Sequence, residues 1–181
     1  MTPSGPRREG RSPGRGSTGR SRPAPVRGVN LVGQELVLDV GPVAHGGHCV
    51  ARHEGRVVFV RHTLPGERVL ARVTEGGIED RFLRADAVTV LQPAPERVEP
   101  VCRHAGPAEG EQGCGGCDWQ HVSRAGQLAL KTAVVREQLR RLAGIDWAGP
   151  VEAALGDGPG LGGRTRVGFA VEAARRARLR R

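Results

Sequence analysis

Between residues 29 and 92 the chain is divided into apolar runs too short for helices, separated by turn residues. This punctuation restricts the fold more than any other feature. The runs are 34–40, 49–52, 56–60, 68–73 and 85–91. Between them stand Gly41-Pro42, His45-Gly46-Gly47-His48, His53-Glu54-Gly55 and Leu64-Pro65-Gly66-Glu67. Runs of this length, bounded by Gly, Pro and polar residues, read as strands, and five of them in one short stretch predict a small closed barrel. Gly46, Gly47 and Gly66 stand where tight turns need positive φ. Aromatic residues are 3% of the chain and Tyr is absent, so an aromatic-lined core or a broad base-stacking surface is not expected. On this reading Phe59 and Phe82 are barrel core or edge residues, and His45 and His48 are solvated turn residues.

From Pro93 the pattern breaks, and residues 93–181 form a second region. Pro93, Pro95 and Pro100 lead into a stretch that holds three of the four cysteines. Ser123 then suits an N-cap, and Leu128, Val135, Leu139 and Leu142 fall on one helical face. Arg136, Arg140 and Arg141 sit near the helix end, where cations suit the dipole, and Gly144 suits termination. Residues 155–163 are a glycine-rich loop, and 164–171 read as one more strand. The expected fold is therefore mainly β with an α+β extension: a five-stranded barrel at 29–92, a cysteine-rich loop, one helix and a terminal strand.

Charge is placed unevenly. The net charge is +9, yet residues 1–28 carry seven Arg against one Glu, and 175–181 carry five Arg. The stretch between is close to neutral. Residues 1–28 are Gly, Ser, Pro and Arg with almost nothing to bury, so a disordered basic tail is expected. Basic ends attract polyanions through phosphate neutralisation, although a compositional bias toward Arg gives the same pattern. No apolar run approaches a membrane span, and no apolar stretch follows the first charges, so a cytoplasmic protein without a membrane segment is expected.

The spacing Cys102-x11-Cys114-Gly115-Gly116-Cys117 carries the chemistry. A Cys-x2-Cys turn with small residues inside lets two thiolates face one metal centre. Disulfides do not fit a chain without a secretion signal. Two metal readings stay open on spacing alone. Cys102, Cys114, Cys117 and His121 would make a Cys3His zinc set, whereas an iron–sulfur cluster needs a fourth ligand, usually Cys. Cys49 lies within the barrel pattern and reads as a small buried residue. Trp119 reads as packed against the cysteine loop. The one Gly-x-Gly-x-x-Gly match, Gly158 to Gly163, contains a Pro and has neither a strand before it nor a helix after it, so it is not read as a nucleotide site.

Longer motifs point further. Gly46-Gly47-His48-Cys49-Val50-Ala51-Arg52, then Gly55-Arg56-Val57-Val58-Phe59-Val60, then Leu64-Pro65-Gly66-Glu67-Arg68-Val69 resembles a TRAM domain, a small OB-like RNA-binding barrel. Arg97-Val98-Glu99-Pro100-Val101-Cys102 and Cys114-Gly115-Gly116-Cys117-Asp118-Trp119-Gln120-His121, with Gln127 and Lys131, resemble the segment that follows it in uracil-5 RNA methyltransferases. The resemblance implies a 4Fe-4S cluster with Cys102, Cys114 and Cys117 as three ligands. The fourth would lie beyond Arg181, which leaves the cluster incompletely ligated here. The gap between Cys102 and Cys114 is longer than the family pattern, as if a loop were inserted around 107–112. Cys49 stands where that pattern commonly has Gly.

In the family, a Rossmann-like domain binding S-adenosylmethionine, a cysteine nucleophile that attacks C6 of uracil and a general base all lie C-terminal to these motifs. The resemblance thus implies a monomeric RNA-binding portion, acting on tRNA or rRNA in the parent family. No catalytic or cofactor-binding residue is expected in the chain, and no methyl transfer by it alone. The alternative from a different class is a free-standing nucleic-acid-binding module with the Cys3His zinc site.

Overall fold

The computed structural model describes residues 28–102, 104–106, 116–156, 158, 160, 161 and 166. The expectations for the basic tail, Cys114, the 107–112 insertion, the 164–171 strand and the Arg-rich end fall outside the described residues, except at Gly28 and Arg166. Six elements follow in order: β1 (Glu35–Asp39), β2 (Cys49–His53), β3 (Arg56–Arg61), β4 (Arg68–Glu75), β5 (Phe82–Gln92) and α1 (Arg124–Ala143). The five strands that the turn-punctuated runs predict form one curled sheet, in the order β1-β4-β5-β3-β2. All pairs are antiparallel except β3 with β5.

Alternation decides which side of each strand faces inward. Leu36 and Leu38, Cys49 and Ala51, Val58 and Val60, Val69, Ala71 and Val73, and Leu83, Ala85 and Ala87 make the core. The described core contains no aromatic ring, and small aliphatic side chains suffice to fill a barrel this narrow. β5 begins three residues earlier than the apolar pattern suggests. Arg84 points out between Leu83 and Ala85, so the charged residue that hid the alternation belongs to it.

Register shifts between β4 and β5 add local bends that help curl the sheet. Its two edges meet beyond β1, where the Gly41 amide donates to the Val50 carbonyl at 2.8 Å and the Val50 amide to the Pro42 carbonyl at 2.9 Å. A Cβ on residue 41 would lie 2.6 Å from that Val50 oxygen, so closure at this point needs glycine. Gly46, Gly47 and Gly66 all take positive φ, as expected.

One buried ion pair ties the barrel to the chain that follows. The Glu67 side chain is fully buried. Its carboxylate accepts from the amides of Leu64 (2.8 Å) and Ala94 (3.1 Å) and from both Nε and Nη2 of Arg97. Arg97 Nη2 also donates to the His62 carbonyl at 2.8 Å. Three of the four bonds to Glu67 come from beyond residue 92. Burial by itself would raise the Glu67 carboxyl, but the Arg97 hydrogen bonds and the two amides outweigh it and hold it below its ordinary value.

The helix behaves as its sequence signals predict at both ends. Ser123 Oγ accepts from the Gly126 amide, Gly144 adopts the left-handed conformation, and Arg140 and Arg141 occupy the last turn. Its expected apolar face is only partly covered. Leu128, Val135 and Leu139 are half-buried, whereas Leu142 is 74% exposed. After Gly144 the chain returns along the helix: Ala148 and Gly149 carbonyls accept from Arg136, and the Val151 amide donates to Thr132 Oγ1. That contact lies upstream of Leu142 and leaves it uncovered.

Removing Glu67 strands the Arg97 charge and the Ala94 and Leu64 amides. Glu67→Ala is expected to lower unfolding free energy by about 3 kcal/mol in urea titration. Because the carboxyl is held below 4.5, the pair's contribution is fully present above that pH and is lost as pH falls beneath it, so the variant and the parent converge in acid.

Candidate nucleic-acid interface and cysteine loop

The outer faces of β2, β3 and β5 gather two aromatic residues and several charged ones. Alternation turns Val50 and Arg52, then Val57, Phe59 and Arg61, then Phe82, Arg84 and Asp86 outward. The register places Val50 opposite Phe59 and Phe59 opposite Arg84, with Phe82 opposite Val57. The Phe59 and Phe82 rings meet edge-to-face with centroids 5.5 Å apart, and His48 meets Phe59 at 6.5 Å. The Arg84 guanidinium lies 5.8 Å from the Phe82 ring centre, within cation–π range. Two of the chain's three phenylalanines thus sit on one outer face, and neither belongs to the core. His48 is no simple solvated turn residue: it is half-buried against Phe59, and burial, then Arg84 and Arg61, lower its pKa. The opposite side of the barrel differs. There β1 and β4 carry no aromatic residue, whereas ion pairs occur on both sides: Arg72 with Glu35 at 2.9 Å and Arg68 with Asp39 at 3.8 Å there, and Arg84 with Glu75 at 3.3 Å here.

The cysteine loop is docked on the barrel through several separate contacts. Asp118 pairs with Arg61 at 2.9 Å. Trp119 Nε1 donates to the Gly47 carbonyl at 3.1 Å, so this ring packs on the barrel's β1–β2 turn rather than within its own loop. A Cβ on residue 47 would lie 3.2 Å from that indole nitrogen, so the turn's glycine also makes room for Trp119. Residues 96–98 and 121–123 pair as a short bridge, through Val98 to His121 and Ser123 to Glu96.

His121 is 6% exposed, with Nε2 3.4 Å from the Thr63 carbonyl and its ring 6.3 Å from His62. Burial chiefly, then the Arg97 charge, push its pKa down from 6.5 to about 4. Burial likewise lowers His62.

Cys102 is half-buried, and its amide donates to Gln120 Oε1 at 3.0 Å. Cys117 is exposed. It lines a cleft of about 190 Å³ together with Pro100, Gly106, His62 and His121, so it borders the loop that carries Cys102. A second cleft at the α1 N-terminus is also lined by Cys117, with Val101 and Gln127. Among the described residues no three His, Cys, Asp or Glu side chains gather as a ligand set, and Cys114 lies outside them. Cys49 is 1% exposed, its Sγ 3.5 Å from the Thr63 carbonyl, and burial pushes it up to about 11. It is a protonated core thiol, as its place in the strand pattern suggests. Gly158 and Gly160 lie in turns, with no described strand before them.

Glu67 and Arg97 position this loop; each falls within a motif that carries the family resemblance, but nothing in the sequence pairs them. Glu67 reads as a turn residue after Pro-Gly, and no spacing rule links it to an Arg thirty positions later.

Comparison with known proteins agrees with this geometry. The TRAM domain family model matches residues 30–88, which is the barrel. An RNA methyltransferase of Streptomyces coelicolor, itself named as uncharacterized, is 57% identical over 163 residues, covering 84% of this chain and 35% of that protein. The 23S rRNA (uracil(1939)-C(5))-methyltransferase RlmD of Pseudomonas entomophila is 41% identical over 143 residues, covering 77% of this chain and 29% of that protein. Both matches run well past the barrel. The chain thus contains a TRAM domain and is similar, over most of its own length, to proteins named as RNA methyltransferases, a uracil-C5 enzyme among them. It spans about a third of the length of the curated relatives it matches. No described helix is long and apolar enough to cross a membrane.

Below its ordinary pKa the unfolded His121 takes up a proton that the folded protein resists until about pH 4. Stability is therefore expected to fall as pH drops from about 6.5 to about 4. His121→Asn should flatten that part of a melting-temperature profile against pH.

Proposed function

We propose that this chain holds RNA for a uracil-C5 methyltransferase and that the outer face of β2, β3 and β5 is where the RNA lies. The observation that carries the reading is the row His48–Phe59–Phe82 ending at Arg84, on the outer face of a TRAM barrel. Aromatic faces stack on bases of any identity, and guanidinium groups neutralise phosphates. Arg52 is exposed on the same face, and the basic ends of the chain add to its attraction for a polyanion. In the whole protein, S-adenosylmethionine would supply the methyl group to uracil C5. Ribosomal RNA is favoured over tRNA, since relatives with a stated substrate are named as 23S rRNA enzymes. The setting is the cytoplasm and the protein is monomeric.

Cys102, Cys114 and Cys117 are proposed as three ligands of a 4Fe-4S cluster, with His121 left out of the set. The burial of His121 against the Thr63 carbonyl supports this over a Cys3His zinc site, because that ring already serves the barrel seam. A bound cluster would tie the two cysteine segments together beside the α1 N-terminus. The chain's own residues hold that neighbourhood against the barrel through Asp118, Trp119 and Arg97.

Anisotropy titration of the full chain with a labelled single-stranded RNA, repeated across salt concentrations, tests the first part. Phe82→Ala should weaken binding about tenfold, as loss of one stacked base predicts. Arg52→Ala should lower the salt slope by about one. Unchanged affinity in both variants would remove the outer face from the reading. For the second part, anaerobically purified protein should contain iron and sulfide with a visible charge-transfer band. Cys117→Ser should abolish the band and Cys49→Ser should leave it. Stoichiometric zinc without iron would reverse the assignment.

A further inference from the structure

The helix lies beside the barrel without closing onto it. Of its residues only Gly126 is fully buried; Leu130 is half-buried and Ala133 is exposed. An amphipathic helix packed on a core buries such positions. Here a slot of about 730 Å³ remains, between Leu130 and Ala133 on α1 and Val43, Val50 and Phe59 on the barrel. Its polar lining comes from His45, Glu137, Gln138 and Arg141.

We infer that this slot holds one unpaired nucleotide of the bound RNA, its base against Phe59 and its phosphate at Arg141. The inference rests on the RNA-binding reading and adds to it a second, more recessed subsite. Three observations select a nucleotide. The lining is apolar on two facing walls with polar groups among them, which suits a flat ring system with apolar faces and a hydrogen-bonding edge. The volume lies in the range of small-ligand pockets. Phe59 belongs both to the slot and to the outer aromatic row, so a strand stacked on Phe82 runs directly to it.

The polar groups are available for exchange. Arg141 lies 3.7 Å from Glu137, an exposed i,i+4 pair that costs little to break, and a phosphate offers the guanidinium a bidentate partner. Gln138 donates to Glu137, and its amide can turn instead to a base edge, presenting both a donor and an acceptor.

The test uses the full chain and a short single-stranded RNA carrying 5-bromouridine. Photo-cross-links are mapped by mass spectrometry, and affinity is measured for Ala133→Trp and Arg141→Ala. The Trp substitution fills the slot from an exposed helix position, and circular dichroism checks that the fold is kept. Cross-links at Phe59 and on α1, lost in Ala133→Trp together with about a tenfold loss of affinity, support the inference. A salt slope lowered by about one in Arg141→Ala supports the phosphate assignment. Full affinity in both variants, with cross-links confined to Phe82 and Arg84, overturns the slot and leaves the outer face standing. No binding by the unsubstituted chain overturns both. Sedimentation showing a dimer that Ala133→Trp dissociates would assign the slot to a second copy and overturn the nucleotide.

Discussion

The Glu67–Arg97 pair is the contact on which the arrangement of the molecule depends. A carboxylate with no solvent exposure is costly unless every lone pair finds a donor. Glu67 finds four, and three of them come from the segment after the barrel. Burying this charge therefore requires that segment to be in place. Arg97 in turn reaches the His62 carbonyl, beside the strand end from which Arg61 holds Asp118. The barrel and the cysteine loop are joined by a polar lock at a seam that also buries His121 and half-buries His62.

That lock has a consequence for recognition. It fixes the course of residues 94–98, against which residues 121–123 pair, and so sets where α1 begins. The cysteine loop is held at one end of the barrel by Asp118 and Trp119, and α1 is carried past the β2–β3 side. The aromatic row stays open to solvent at Phe82 and borders the slot beside α1 at Phe59. The outer aromatic face and the cysteine loop are thereby held on one barrel, although the sequence between them has no regular periodicity.

The low aromatic content misleads if taken alone. It correctly describes the core, which Ala, Val and Leu fill. It says nothing about where the few aromatic residues go. Phe59 and Phe82 are more than twenty positions apart, and only the parallel pairing of β3 with β5 brings them together. A parallel neighbour is set by the order of strands in the sheet, and no local pattern in either strand encodes that order.

What the sequence determined by itself was local. Strand existence, the turns at Gly46, Gly47 and Gly66, the Ser123 cap and the Gly144 stop all follow from residue types within a few positions, because φ preference, alternation and capping act over that range. The family resemblance was legible for the same reason, in short ordered motifs. Tertiary structure alone decided the rest. It chose which outward residues share a face, buried Glu67 where a turn residue was expected, and seated Trp119 on the barrel. It also left Leu142 exposed although its periodicity matched the buried face. Each of these depends on which distant segment arrives alongside, and burial and pairing between distant segments are properties of the curled sheet as a whole rather than of any run of residues.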